Sequence, residues 1–249
     1  MKHTKLITIG ALPLMWIIYF IFELITGRIT TISSFTFNCI LILLFSLTGY
    51  FIYLLSKKYV DGLSKRIIFL TFIISLFIDQ GIKILIKTFY FNKNIVLIPN
   101  MISFSPIINT QGSWLNARFN TSISFSFLIV VNILALIFIY EIFKYFTSKG
   151  SKSFWSDLSF IFLFTGALCS LIDKLFYGGS LDFIGICDLF IADIKDIYIN
   201  LGLYSFILCT YCSGYLTSED TSTFKDDMQS IKTFLIFVKN DFLSIIKKH

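Results

Sequence analysis

Apolar residues gather into six long blocks, at about 6–25, 36–56, 67–88, 124–146, 155–176 and 197–217. Each approaches the ~20 residues a helix needs to cross the hydrocarbon core of a bilayer, so six spans are expected. The connections between them are of two kinds. Lys2 and Lys5 precede the first block, and Lys57, Lys58, Lys65 and Arg66 separate the second from the third. Lys144, Lys149 and Lys152 separate the fourth from the fifth, and Lys225, Lys232, Lys239, Lys247 and Lys248 follow the sixth. Cytoplasmic connections carry such an excess of basic residues, which puts these segments and both termini in the cytoplasm. The opposite side has a short connection at 26–35 and two long ones, about 89–123 and 177–196, where function is expected to concentrate. No leader-cleavage pattern follows the first block, so it is read as a retained helix. Beyond Gln229, Ile231, Phe234, Leu235, Val238, Phe242, Ile245 and Ile246 recur at helical spacing among lysines. That is an amphipathic helix, lying on the anionic leaflet or packed against the ends of the bundle.

Composition removes the soluble alternatives. Hydrophobic residues make up 56% of the chain and charged residues only 14%, with a mean hydropathy of +0.80. A water-soluble domain carries about 25% charge, too much for this chain to match. The expected fold is an all-α integral membrane protein of about six transmembrane helices with a small extracytoplasmic loop or β region. The net charge of +6 serves topology; without one interleaved basic patch it gives no sign of nucleic-acid binding. Histidine occurs only as His3 and His249, at the two tips. A Ser-His-Asp triad, a Cys-His pair and a histidine-held zinc all need an imidazole inside the fold, so catalysis would have to rest on other groups. Cys39, Cys169, Cys187, Cys209 and Cys212 lie mostly in apolar runs and read as small packing residues.

A few ionisable residues stand where lipid is expected. Charge near the middle of a span costs at least about 2.5–3.5 kcal/mol, so each such residue is a candidate for function. The third block holds Asp79-Gln80-Gly81-Ile82-Lys83, whose i, i+4 spacing puts Asp79 and Lys83 on one face, able to pair. The fifth holds Gly166, Ser170, Asp173 and Lys174; Gly166 and Ser170 form a small face for close helix packing. Lys83 and Lys174 could instead snorkel at a span end, a route largely closed to the short Asp side chain. Two further stretches follow in the last long loop: Gly178-Gly179-Ser180-Leu181-Asp182-Phe183-Ile184 and Asp193-Ile194-Lys195-Asp196.

The order of these elements, with Asn109-Thr110-Gln111-Gly112 between them, resembles lipoprotein signal peptidase (signal peptidase II) over residues 66–217. The resemblance implies an intramembrane aspartic endopeptidase that cleaves the signal peptide of a prolipoprotein just before its diacylglyceryl-modified cysteine, in a bacterial-type cell membrane. It implies that Asp182 and Asp196 are the catalytic pair. Asp79, Lys83, Asn109, Gly112, Ser170, Asp173, Lys174 and Asp193 fall on supporting or substrate-binding positions. It implies no metal and no cofactor; the partners would be a prolipoprotein with a lipidated cysteine and the membrane lipids. Residues 1–65 form a two-helix extension outside the family's four-helix unit, 66–217 the unit itself, and 218–249 a polar linker and basic tail.

This chain departs from the family pattern at Ser170 and Lys174, where the family has Asn and Arg, and at Asp193 and Lys195, where it has Asn and Ala. The loop around Gly112 is one residue longer and the interval between the two aspartates shorter. Two carboxyls held close share a proton, so one can serve as general base and the other as acid without histidine. Asp196 opens a helix whose positive end favours an anion, Lys195 pushes the same way and Asp193 the other, so Asp182 is expected to hold the proton at rest. A catalytically silent protein that binds lipidated peptides or membrane partners would carry the same motifs. A small transporter would need more polar residues near the midplane than Glu23 and Asn38 provide.

Overall fold

The computed structural model describes residues 2–111, 114–119, 123–214 and 224–246. Helices α1 (Lys2–Ile25) and α2 (Ile32–Lys58) form an N-terminal hairpin. Helix α3 (Lys65–Leu85) runs into a π-helical turn, Ile86–Tyr90, and is followed by strands β1 (Ile95–Ile98) and β2 (Ile102–Asn109) and by the short α4 (Trp114–Phe119). Then come α5 (Phe125–Ser148), α6 (Phe154–Phe176), β3 (Ser180–Ile186), β4 (Phe190–Ala192), α7 (Ile194–Cys212) and α8 (Phe224–Ile246). Thr31, Ser64, Ser124 and Ser153 cap α2, α3, α5 and α6, each hydroxyl accepting the N–H three residues on. A polar residue before an apolar run thus sets each helix start.

Five helical stretches, Lys5–Ile25, Ile32–Lys58, Lys65–Tyr90, Phe125–Ser148 and Phe154–Phe176, are long and apolar enough to cross a membrane. The sixth expected span is α7, of 19 residues, which ends at Cys212. Lys195, Asp196 and Asn200 in its first two turns make it the least apolar of the set. The chain is a multi-pass membrane protein whose outer faces, among them Leu43, Phe51, Phe69, Phe77 and Leu134, are exposed for lipid. The expected tail helix is α8. It packs on α5, where Phe234 meets Phe138 and Tyr145 edge-on and Lys144 pairs with Asp241, so of the two placements open for it the structure takes the packed one.

Small residues set the helix contacts. A Cβ on Gly166 would lie 2.6 Å from Ile199 of α7, and one on Gly202 would lie 2.8 Å from the Leu163 backbone of α6. Gly49 lets α2 approach α1 equally closely, 2.8 Å from the Ile9 carbonyl. With no hydrophobic drive between helices in lipid, such close backbone approach is what holds them together. Tyr204 of α7, fully buried, donates to the Thr8 carbonyl of α1 at 2.7 Å and ties the hairpin to the bundle.

Connections 26–31, 91–124 and 177–193 meet at one end of the bundle, which carries the sheet; those at 59–64 and 149–153 meet at the other. The sheet is antiparallel throughout, in the order β1-β2-β3-β4. Its β2–β3 register shifts between Phe104 and Ile107. Pro106 sits in that irregular interval, where a missing N–H breaks no regular ladder. Beyond the shift Asn109 stands opposite Ser180 and Ile107 opposite Asp182. Leu181 and Phe183 anchor the sheet by packing with Ile86 against Ile82, Phe104 and Ile194.

The hairpin also grips the sheet's turns. Ser34 donates to the Asn100 carbonyl at 3.0 Å, Asn38 to Cys187 Sγ at 3.7 Å, and Arg28 to the Leu189 carbonyl at 2.6 Å.

Candidate active site

The site is assembled from five elements, the helices α3, α6 and α7 and the strands β2 and β3. Helix α7 contributes most, and its local sequence explains why. Asp193 is the N-cap and Asp196 the third helical residue. The Asp193 carboxylate accepts the Asp196 N–H at 3.3 Å, and the Asp196 carboxylate accepts the Asp193 N–H at 3.1 Å. This reciprocal capping box fixes both side chains before any tertiary contact is made. Strand β3 brings Ser180 and Asp182, two residues apart and therefore on the same face. Helix α3 brings Asp79, Gln80 and Lys83 on one face, and α6 brings Asp173 from its last turn.

Lys83, fully buried, is the hub. Its Nζ lies 2.9 Å from Asp79 Oδ2, 2.7 Å from Asp173 Oδ2 and 2.6 Å from Asp193 Oδ2. Gln80 Nε2 bridges Asp79 at 2.9 Å and Asp173 at 3.1 Å. The expected Asp79–Lys83 pair is present and is one arm of a larger network, and Lys83 does not snorkel. Lys195 is a second buried cation. Its Nζ bonds Asp193 Oδ2 and Ser180 Oγ, and lies 3.3 Å from Asp173 and 3.5 Å from Asp182 Oδ1. Asp182 accepts from Ser180 Oγ at 2.5 Å and from Asn109 Nδ2 at 3.1 Å.

Asp182, Asp193 and Asp196 each present an oxygen within 4.8 Å of the others. Three hard carboxylates at that spacing have the chemistry of a cation site, but the cations already there belong to the chain, because Lys83 and Lys195 both sit on Asp193 Oδ2. Asp196 is half-buried, whereas Asp193 is fully enclosed. Burial raises the pKa of Asp182 above the ordinary carboxylate value, with Lys195, Ser180 and Asn109 acting against it. For Asp193 burial also opposes ionisation, but Lys195 and Lys83 outweigh it and hold the pKa low.

Of the residues singled out in the sequence, the structure gathers Asp79, Lys83, Asn109, Asp173, Asp182, Asp193 and Asp196. Ser170 and Lys174 form a separate pair: Lys174, buried rather than snorkelling, turns back one turn to donate to Ser170 Oγ at 2.5 Å. Gly112 lies outside the described residues. Ser180 and Gln80 join the site without having been assigned a role in it, and Lys195, expected only to favour the Asp196 anion, joins it as a bonded cation. Ser180 could have been found by strand alternation from Asp182. Lys195 carried a signal too, as a charge standing where the resembling family has alanine.

Comparison with known proteins bears on the family and the fold. A family model described as signal peptidase (SPase) II matches residues 70–212. Two solved structures, each described as a bacterial membrane enzyme structure by the in meso method, at 2.3 and 1.9 Å resolution, share the fold. The first is 21% identical with a TM-score of 0.53 and the second 22% identical with 0.50; each match covers 66% of this chain and 99% of the solved one. Comparison with curated protein sequences gave no match. The family model spans more than half of the chain, which belongs to the signal peptidase II family, membrane proteases of lipoprotein signal-peptide processing.

Proposed function

We propose that this chain removes the signal peptide from diacylglyceryl-modified prolipoproteins, with Asp182 and Asp196 as its water-activating pair. The observation that carries this reading is the approach of the two carboxyls, within 4.8 Å of each other. A water about 2.7 Å from each oxygen fits that gap at ordinary hydrogen-bond length.

The resting proton goes on Asp196, which reverses the expectation from helix polarity and Lys195. Asp182 receives donors from Ser180 and Asn109 with Lys195 at 3.5 Å, all of which favour its anion. Asp196 shares its capping box with ionised Asp193, which disfavours a second negative charge there. Ionised Asp182 takes a proton from the water as its oxygen attacks the scissile carbonyl. Asp196 delivers its proton to the carbonyl oxygen, giving a neutral tetrahedral diol. As the diol collapses, the proton on Asp182 passes to the departing amine nitrogen and Asp196 regains its own, so the pair ends as it began. No covalent intermediate is formed.

Substrate would approach from the bilayer. A groove of about 390 Å³ opens between α3 and α6, lined by Gln80, Ile84, Lys87, Thr88, Ile172, Phe176 and Tyr177. Its Gln80 wall donates to Asp79 and Asp173, next to the pair. In this reading the sheet end faces outward and the basic end, with both termini, faces the cytoplasm; a reporter fused after His249 and found outside would overturn that orientation. The decisive experiment is cleavage of a lipidated prolipoprotein peptide by the purified protein. Asp182→Asn and Asp196→Asn should each abolish cleavage while leaving the protein folded and inserted. If the wild-type protein fails to cleave but retains the peptide, the chain is a binder.

A further inference from the structure

The N-terminal hairpin buries a carboxylate far from the pair. Glu23, near the end of α1, is fully enclosed. Its Oε2 lies 3.4 Å from Arg28 Nη1 and 3.6 Å from Arg118 Nη2, and accepts from Thr26 Oγ1 at 3.3 Å. Arg118 belongs to α4, and its guanidinium lies over the Phe22 ring at 5.4 Å and donates to Thr26 at 3.4 Å. So α1 holds α4 by charge, by a hydroxyl and by a ring face.

From α4 the contacts continue inward. Asn116 closes the segment on itself: its amide nitrogen donates to the Gln111 carbonyl at 2.9 Å and the Ile123 carbonyl at 3.0 Å, and its oxygen accepts the Ile123 N–H at 3.1 Å. The Gln111 N–H in turn bonds Asn109 Oδ1 at 3.2 Å, which turns Asn109 Nδ2 toward Asp182 Oδ2 at 3.1 Å. Two sets of polar contacts, joined through the α4 backbone between Arg118 and Asn116, therefore connect a buried acid of the hairpin to the reacting carboxylate. Burying a charge in this setting is costly, and a chain needing only a helix hairpin could place an apolar residue at 23.

We propose that Glu23 is a positioning residue for the reaction: through Arg118 and α4 it holds the segment that delivers Asn109 to Asp182. The proposal rests on the assignment of Asp182 to the catalytic pair, and gives the two added helices a part in the chemistry.

The test uses the full chain and a lipidated prolipoprotein peptide. Arg118→Gln is the primary variant, because it leaves the Glu23–Arg28 pair and the hairpin intact; Glu23→Gln is the second. Each should lower kcat about tenfold, the size of a hydrogen bond to a charged group, with little change in KM. Asn109→Ala should cost at least as much, and adding Arg118→Gln to it should cost nothing more, because both act through the same hydrogen bond. Amide exchange at Gln111 and Ile123 should speed up in Arg118→Gln while exchange at Leu63, at the other end, stays as in the wild type. Additive losses in the double variant, or unchanged exchange at Gln111 and Ile123, would overturn the proposal. If Asp182→Asn retained activity, the assignment of the pair would fall, and the exchange comparison alone would still decide whether α1 holds α4.

Discussion

The two ends of the bundle bury charge in opposite ways. At the basic end Asp157 of α6 is fully enclosed, and it accepts the Leu63 N–H at 2.6 Å with Lys152 at 3.8 Å. One acid meets one backbone donor and one ammonium, and the connection around Gly62 is pinned. At the sheet end the carboxyls of Asp79, Asp173, Asp182, Asp193 and Asp196 gather around the ammonium groups of Lys83 and Lys195. There the acids outnumber the cations, and crowded carboxyls cannot all ionise cheaply, so a proton must stay. A buried acid matched by one cation is a structural pin; on the proposed function, an excess of acid stores a proton for chemistry.

The largest effect that could break this contrast is on the pair itself. Asp182→Asn and Asp196→Asn should each cut kcat by about a thousandfold or more in the peptide-cleavage assay, and the double variant should be little slower, because the two act as a unit. Multiplying losses would mean that they do not share a proton.

Next in size is the hub. Lys83→Met should destabilise the protein by about 3–5 kcal/mol, since three aspartates lose one buried partner. Thermal unfolding in detergent reads this, and a stability equal to wild type would show that the acids relax into protonated pairs.

The comparison is sharpened by the Asp193–Lys195 pair, which stands where the resembling family has Asn and Ala. Lys195→Ala leaves Asp193 with Lys83 alone, and Asp193→Asn takes from Lys195 its nearest carboxylate, so each alone should slow cleavage about tenfold, and the double variant should recover most of the loss. The pH profile carries the same information. Asp182 must be ionised to take the water's proton, so activity falls as the pH drops through its pKa, while loss of the Asp196 proton sets the alkaline limb. Burial already raises that pKa, and Lys195 works against the rise. Lys195→Ala should therefore move the acid limb of kcat to higher pH; an unmoved limb would mean that Lys195 neutralises Asp193 alone. The smallest effect belongs to the pin: Asp157→Asn should cost about 1.5 kcal/mol of stability, read by the same unfolding, and leave kcat unchanged.

Much of this was legible in the sequence. Hydrophobic runs located the five helices long and apolar enough to cross a membrane to within about four residues, because the bilayer sets a minimum length; the sixth run, 197–217, falls on α7, which starts earlier and ends at Cys212. Asp79 and Lys83 were legible as a pair because a helix brings residues i and i+4 together wherever it lies. The sheet was foreseen only as a small β region, since its register joins segments some 70 residues apart in the chain and depends on the shift at Pro106. Lys195 was the hardest to place. Its role comes from the capping box, which turns Asp193 and Asp196 as they lie and leaves the intervening ammonium between strand and helix. Ser170 and Lys174 were legible as positions in a motif, but their bond to each other was not.

Helix α7 begins with Lys195 and Asp196 and carries Asn200 a turn later, so it has the weakest claim of its own to partition out of the translocation channel into lipid. What makes it welcome is the company already there: the Thr8 carbonyl waiting for Tyr204, the α6 backbone that accepts Gly202, and the ammonium of Lys83 that meets Asp193. Synthesis from the N-terminus delivers all of these partners first. The order of synthesis therefore acts as a safety catch: α7, which bears Asp196, follows α1, α3 and α6, so the helices that receive it are already made when the second acid of the proposed pair arrives.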